Sequence, residues 1–251
     1  MPRFAANITM MFTELPFFAR FAAAAKAGFT AVECLYPYDW PLAEVKAALD
    51  ANTLQCVLIN TPPGSFPGGE RGCAAIPGAK AHFAADLAQA VTAARTLGVP
   101  AIHVMTGVTP VTPEAEAALI ANLTRAAEHA DLTFLLEPLN SRDVPGYFLT
   151  RIEQAAAIIA RVDRPNVGLQ FDFYHAQIMG GDLATRFAQH LPLVRHIQIS
   201  GVPGRHEPDH GEINYPYLLA LIDRLGYAGW IGCEYRPLAG TVAGLSWLTR
   251  I

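Results

Sequence analysis

The sequence predicts an α/β protein folded as a single (β/α)8 TIM barrel, and three observations carry that expectation. The chain is 251 residues long, close to the ~250 typical of one such barrel. Short β-rich runs alternate with Ala-rich helical stretches to the end, and strands joined by crossover helices form parallel sheets. No Gly-x-Gly-x-x-Gly turn follows an early strand, as an open dinucleotide-binding sheet would want. At 52% hydrophobic and 16% charged, the composition is too apolar for disorder and ample for one large core. No linker or composition break divides residues 1–251, so the whole chain reads as one domain.

The elements follow in order. A first strand at Phe4–Ile8 leads to a helix at Pro16–Ala27, stopped by Gly28. Next come a strand at Ala31–Leu35, a helix at Leu42–Ala51 and a strand at Leu54–Asn60. The long helix Ala79–Leu97 ends at Gly98, and the strand Ala101–Met105 leads to the helix Pro113–Ala130. Thr133–Glu137, Arg151–Arg161, Val167–Asp172, Gly181–Gln189 and Val194–Ile199 continue the alternation. The helix Tyr215–Leu225, stopped by Gly226, precedes the strand Trp230–Glu234, and Thr241–Ile251 remains for a last helix. Gly28, Gly98 and Gly226 mark helix ends because glycine takes the left-handed position without a Cβ penalty.

Charge and composition exclude several functions. Eighteen Lys+Arg against 22 Asp+Glu give −4, which argues against nucleic acid or an anionic membrane as partner. Charges interrupt the apolar stretches, so none reads as membrane-spanning, and the N-terminus lacks the apolar core of a secretory signal. Cys34, Cys56, Cys73 and Cys233 form no Cys-x-x-Cys pair. Three of them lie in apolar strand-like runs, where a thiol packs as a small hydrophobe. A reduced cytoplasmic protein is expected. Lys26, Lys46 and Lys80 all fall in outer helices, which excludes a Schiff-base lysine at a strand end.

Polar residues interrupt the late strands at their C-terminal ends: Glu137, Asp172, Gln198 and Glu234, each about one βα unit from the next. In a closed barrel these ends converge on one mouth, where barrel enzymes keep their sites. Three buried carboxylates together would repel and rise in pKa. A divalent cation relieves this, and an all-oxygen set suits Mg²⁺ or Mn²⁺ rather than zinc. His175, three residues past Asp172, returns to the same side of the mouth through a helical or turn-like segment, while Asn140 and Asp143 flank Glu137 as supporting or substrate-binding groups. His103, His196 and Gln170 read as barrel-interior packing. Phe12, Tyr36, Tyr38, Trp40 and Phe66 are aromatic residues that either wall a pocket or pack.

Two loops are rich in Gly and Pro, Thr61–Gly78 and Gly201–Asn214. Arg71 and Arg205, one on each, are candidate partners for a substrate carboxylate. The first loop is longer than most βα loops, and its glycines and prolines suit a mobile lid that keeps water from a reactive intermediate.

These residues, in this order, resemble the xylose-isomerase-like barrel superfamily and, within it, the hydroxypyruvate isomerase family. The stretches that carry the likeness are Asn60-Thr61-Pro62-Pro63-Gly64, Gly69-Glu70-Arg71-Gly72, the run from Glu137 to Phe148, Asp172-Phe173-Tyr174-His175, the run from Gly201 to Pro208, and Gly232-Cys233-Glu234-Tyr235-Arg236-Pro237. The resemblance implies a divalent metal at Glu137, Asp172, Gln198 and Glu234, with the two glutamates as the proton-transfer pair. Related sugar 3-epimerases carry a histidine where this chain has Gln198, which favours the hydroxypyruvate isomerase branch. The expected reaction interconverts hydroxypyruvate and tartronate semialdehyde through an enediolate. A 2-oxo-tetronate isomerase and a ketose 3-epimerase remain alternatives, ahead of a metal-dependent endonuclease-like hydrolase and a non-catalytic sugar-acid binder. The expected partner is a small hydroxy-oxo acid or sugar, with a homo-oligomer open.

Overall fold

The structure, a computed structural model, describes residues 2–65, 68–129 and 131–249. Eight parallel strands close into a barrel in sequence order, β1 pairing with both β2 and β8. They are β1 (Arg3–Asn7), β2 (Ala31–Glu33), β3 (Gln55–Asn60), β4 (Ala101–His103), β5 (Thr133–Leu136), β6 (Val167–Asp172), β7 (Val194–Ile199) and β8 (Trp230–Cys233). Several are shorter than expected: β2 and β4 end at Glu33 and His103, and in β5 and β8 the residues Glu137 and Glu234 lie just beyond the last ladder bond rather than within the strand.

The surrounding helices are α1 (Phe17–Lys26), α2 (Leu42–Ala51), α3 (Lys80–Leu97), α4 (Pro113–Ala126), α5 (Ile152–Val162), α6 (Phe173–Met179), α7 (Leu183–His190), α8 (Tyr215–Arg224) and α9 (Thr241–Gly244). The start of α4 shows why they begin where they do. Thr112 accepts a hydrogen bond from the Ala115 amide, Pro113 fills the first turn, and Glu114 and Glu116 face the helix dipole. On α5, Ile152, Ala155, Ile158, Ile159 and Val162 form the buried stripe, the spacing of an amphipathic helix against a sheet. Gly98 closes α3 with φ 72°, as glycine permits.

The helical turn expected after Asp172 is present and extends into a separate short helix, α6, nucleated when the Asp172 carboxylate accepts from the Tyr174 amide at 2.7 Å. One expectation is corrected: the last helix is only the single turn α9, followed by a 3-10 segment at Leu245–Thr249. The expected ends at Ala130 and Ile251 lie outside the described residues. Among the described residues, no helix is long and apolar enough to cross a membrane.

The barrel interior is unusually polar. Glu33 of β2 is fully buried and accepts from Gln198 Nε2 of β7 at 3.0 Å, from Asn7 Nδ2 of β1 at 2.9 Å, and bonds His196 Nε2. Strands β2 and β7 are not neighbours in the sheet, so these bonds cross the barrel. Gly232 of β8 makes the crossing possible, since a Cβ there would sit 1.8 Å from a Glu33 carboxylate oxygen.

Candidate active site

The C-terminal ends of β5 to β8 carry the expected carboxylates to one mouth, where Glu137 and Asp172 lie within 4.8 Å of each other and of His175, while Glu234 is outside that group and paired with Arg205. Asp172 and Gln198 are register partners on β6 and β7, Gln198 pairs with Gly232 on β8, and Glu234 follows one residue beyond that strand. Glu137, Asp172, Gln198 and Glu234 are all buried. A cavity of about 1300 Å³ opens over them, lined by Glu137, Glu234, His175, Tyr174, Asp143 and Arg205, together with Tyr36, Tyr38 and Arg71 from the early loops. Asn140, Asp172 and Gln198 do not line it: Asn140 acts on it through its neighbours, while Asp172 and Gln198 lie buried beneath its floor.

Arg205 compensates the negative charge. Its guanidinium Nη2 lies 3.1 Å from Glu234 Oε2 and 3.7 Å from Asp172 Oδ2, and the group sits over the Tyr174 ring, 5.0 Å from its centroid. The residue holds a left-handed backbone, φ 56°, which costs a non-glycine residue roughly 1–2 kcal/mol. Two backbone hydrogen bonds, Arg205 N–H to Gly201 O and Arg236 N–H to Arg205 O, both 2.8 Å, hold it there.

One cation against three carboxylates leaves them hard to ionise. Burial raises Glu137 well above the usual carboxylate range, and Glu234 and Asp172 add to it. Burial lifts Glu234 to about 8 and Asp172 to about 6, with Arg205 opposing both. Glu137 Oε1 and Asp172 Oδ2 are buried without a hydrogen-bond partner. A buried carboxylate oxygen left so is costly, and a cation among these oxygens would satisfy it.

His175 brings its Nε2 within 3.8 Å of Glu137 Oε1 and 3.5 Å of Asp172 Oδ2, so geometry alone offers it as a metal ligand. The hydrogen bonds argue otherwise. The Asn140 amide donates to His175 Nδ1 at 3.0 Å, and burial pushes the ring well below the usual imidazole range. A neutral ring that accepts at Nδ1 carries its proton on Nε2, so His175 presents a donor to the site. Asn140 in turn receives the Arg142 and Asp143 amides on Oδ1 and donates to Asp143 Oδ2, which also accepts from Tyr174 Oη at 2.8 Å. Asn140 and Asp143 thereby set the orientation of His175 and Tyr174.

The Gln198 amide is oriented by its partners. The Glu33 carboxylate can only accept, so the nitrogen faces it, and Oε1 accepts from Gln170 Nε2 at 2.6 Å with a second lone pair to spare. Glu33 escaped the sequence reading. Its only signal is a carboxylate inside the apolar run Ala31–Leu35, on an early strand away from the late-strand pattern. His103 is buried with Nδ1 3.3 Å from Glu137 Oε2, and burial lowers it to about 3, so it stays neutral beside that glutamate.

Of the early aromatics, Tyr36 and Tyr38 wall the cavity. Phe12 is fully buried in the core, and Trp40 stacks on Phe17. Phe66 lies outside the described residues. In the Thr61–Gly78 loop, Pro62, Pro63, Gly64, Ser65 and Arg71 reach the cavity. From Gly72 onward the segment is fastened: Gly72 bridges Thr106, Ala74 N–H bonds Met105 O, and Ala75 N–H bonds Thr106 O at 2.8 Å. The expectation of a lid therefore does not extend to residues 72–78.

The comparisons agree with this architecture. The chain is 51% identical to a 2-oxo-tetronate isomerase of Cupriavidus necator, covering 99% of this chain and 98% of that one. It is 42% identical to hydroxypyruvate isomerase of Escherichia coli, over 99% and 98%. A crystal structure from Brucella melitensis, described as an AP endonuclease of family 2, superposes with TM-score 0.97 at 44% identity, covering 100% of this chain and 99% of that one. Residues 21–251 match the family described as xylose isomerase-like TIM barrel. The chain is an enzyme of that family, in the group whose members are named hydroxypyruvate isomerase or 2-oxo-tetronate isomerase.

Proposed function

We propose that the chain is a metal-dependent isomerase of a short hydroxy-oxo acid, interconverting hydroxypyruvate and tartronate semialdehyde by proton transfer through an enediolate. The observation that carries this reading is the pair Glu137 and Glu234. Both line one cavity and both are raised in pKa by burial. Carboxyl groups tuned toward neutrality can give and take protons at working pH, contributing typically ~10²–10⁴-fold each.

Glu137, Asp172, Gln198 and Glu234 would hold the divalent cation. The unpartnered Glu137 Oε1 and Asp172 Oδ2 and the free lone pair of Gln198 Oε1 fit it, and the all-oxygen donor set suits Mg²⁺ or Mn²⁺. When bound, the ion supplies Lewis acidity to the hydroxyl and carbonyl oxygens of the substrate. One glutamate removes the proton from the hydroxymethyl carbon, and the other returns a proton to the neighbouring carbon. The His175 Nε2–H donates to a substrate oxygen. Arg205 and Arg71 face the substrate carboxylate from opposite loops, and Tyr36 and Tyr38 help keep water out.

A 2-oxo-tetronate is the second reading. The 51% identity to the Cupriavidus protein favours it, and a cavity of about 1300 Å³ has room for one more carbon. The endonuclease description of the Brucella relative finds no support in a chain with 18 Lys+Arg against 22 Asp+Glu. Metal-loaded protein offered hydroxypyruvate, 2-oxo-tetronates and free ketoses should convert an acid, with products identified by NMR. Turnover of ketoses alone would defeat the reading.

A further inference from the structure

Helix α3 buries Phe83, Leu87, Ala90 and Ala94, and Asp86 is buried among them at 9% exposure. A carboxylate on such a face needs strong donors, and its neighbours are weak ones. Cys73 Sγ donates to Asp86 Oδ2 at 3.3 Å. His82 Nε2, one turn earlier, lies 3.7 Å from Asp86 Oδ1, beyond hydrogen-bonding distance. A thiol sulfur, an imidazole nitrogen and a carboxylate oxygen thus lie within 4.8 Å of one another. Ligands about 2.0–2.3 Å from a tetrahedral zinc ion sit roughly 3.3–3.8 Å apart, close to the two separations seen, the thiol to Oδ2 and the imidazole to Oδ1 of Asp86, so that a small rotation of the carboxylate brings one oxygen to both. Cys73 and Asp86 are buried while the His82 side chain is 57% exposed, which gives an entry path and room for a water as fourth ligand.

We propose that Cys73, His82 and Asp86 form a zinc site, distinct from the barrel-mouth cavity, that fastens the segment after Arg71 to α3. The mixed sulfur, nitrogen and oxygen set selects zinc or cobalt over magnesium or manganese, the reverse of the oxygen donors at the mouth. Without metal, burial and the neighbouring Asp86 keep the thiol protonated, pushing it up to about 12. Binding of the ion displaces that proton to solvent and leaves a thiolate ligand. Local sequence gives no hint of the site, because Cys73 precedes α3 while His82 and Asp86 are an i, i+4 pair on it. Cys73 is two residues past Arg71, and the intervening Gly72 N–H bonds Pro63 O at 2.9 Å. An ion here would therefore steady the root of a cavity wall.

The test uses the full chain, stripped with chelator, given excess Mg²⁺ to occupy oxygen donors, and titrated with Co²⁺. A thiolate-to-cobalt charge-transfer band should grow and then vanish as Zn²⁺ displaces the cobalt. The Cys73→Ser protein should lack the band, and His82→Ala should weaken Co²⁺ binding at least about tenfold. Zn²⁺ should raise the Tm of the wild type more than that of His82→Ala. No band, a band that persists in Cys73→Ser, or unchanged affinity in His82→Ala would overturn the assignment. Should Cys73→Ser fail to fold, the exposed His82 variant decides alone.

Discussion

At the scale of single residues, the hydrogen-bond partner of a side chain tells more than its distance to the centre. His175 sits as close to Glu137 and Asp172 as a ligand would, yet the Asn140 amide occupies its Nδ1 and leaves Nε2 as a donor. Replacing His175 with Gln should therefore leave Mn²⁺ affinity little changed, while weakening substrate binding by the loss of one hydrogen bond, on the order of 0.5–1.5 kcal/mol. Titration of Mn²⁺ by EPR beside steady-state kinetics separates the two. A large loss of metal affinity would make His175 a ligand instead. The same logic defines Gln198, whose nitrogen is claimed by Glu33 and whose oxygen is the atom left for the site.

At the scale of elements, the late strands and their loops deliver polar groups and Arg205 to one mouth, and the early loops bring in walls and one cation, Arg71. Arg71 lines the cavity and donates to the Glu70 carbonyl at 2.7 Å, and it is a proposed partner of the substrate carboxylate. Arg71→Ala should raise KM for an acidic substrate well beyond its effect on a neutral ketose, and comparable effects on both would remove the carboxylate role. Strand-end residues such as Glu137 and Asp172 were legible in the sequence because each ends an apolar run. The turn after Asp172 was legible too, but its extension into α6 as far as Met179 was not, because the Asp172 carboxylate that caps it belongs to the strand before it. The Glu33 bonds to His196 and Gln198 were equally hidden, since they join strands that only barrel closure brings face to face.

At the scale of the whole molecule, the carboxylate cluster links stability to pH and to metal. Glu234 and Asp172 have folded pKa values raised to about 8 and about 6. Raised carboxyl groups stabilise the fold fully below their unfolded values, and the contribution is lost as pH rises through the folded ones. In chelator the Tm should therefore fall between about pH 5 and pH 8. Added Mn²⁺ or Mg²⁺ should restore more at pH 8 than at pH 5, because the ion competes with protons for the same oxygens. Calorimetry at the two pH values checks both signs, and a chelated protein more stable at pH 8 than at pH 5 would contradict them. The eight-strand closure was readable from the alternation of runs. The polar interior was not, because each of its members taken alone reads as packing.

The central claim is that Glu137 and Glu234 move a proton between adjacent carbons of a hydroxy-oxo acid, and solvent exchange tests it most directly. Metal-loaded protein incubated with hydroxypyruvate in D₂O should place deuterium on the hydroxymethyl carbon of recovered substrate and on the neighbouring carbon of tartronate semialdehyde, followed by NMR. Glu137→Gln and Glu234→Gln should keep the fold by circular dichroism and slow exchange by ~10²–10⁴-fold. Exchange at near wild-type rate in both variants, or product formed from hydroxypyruvate without any solvent deuterium at either carbon in the folded wild type, would contradict the account.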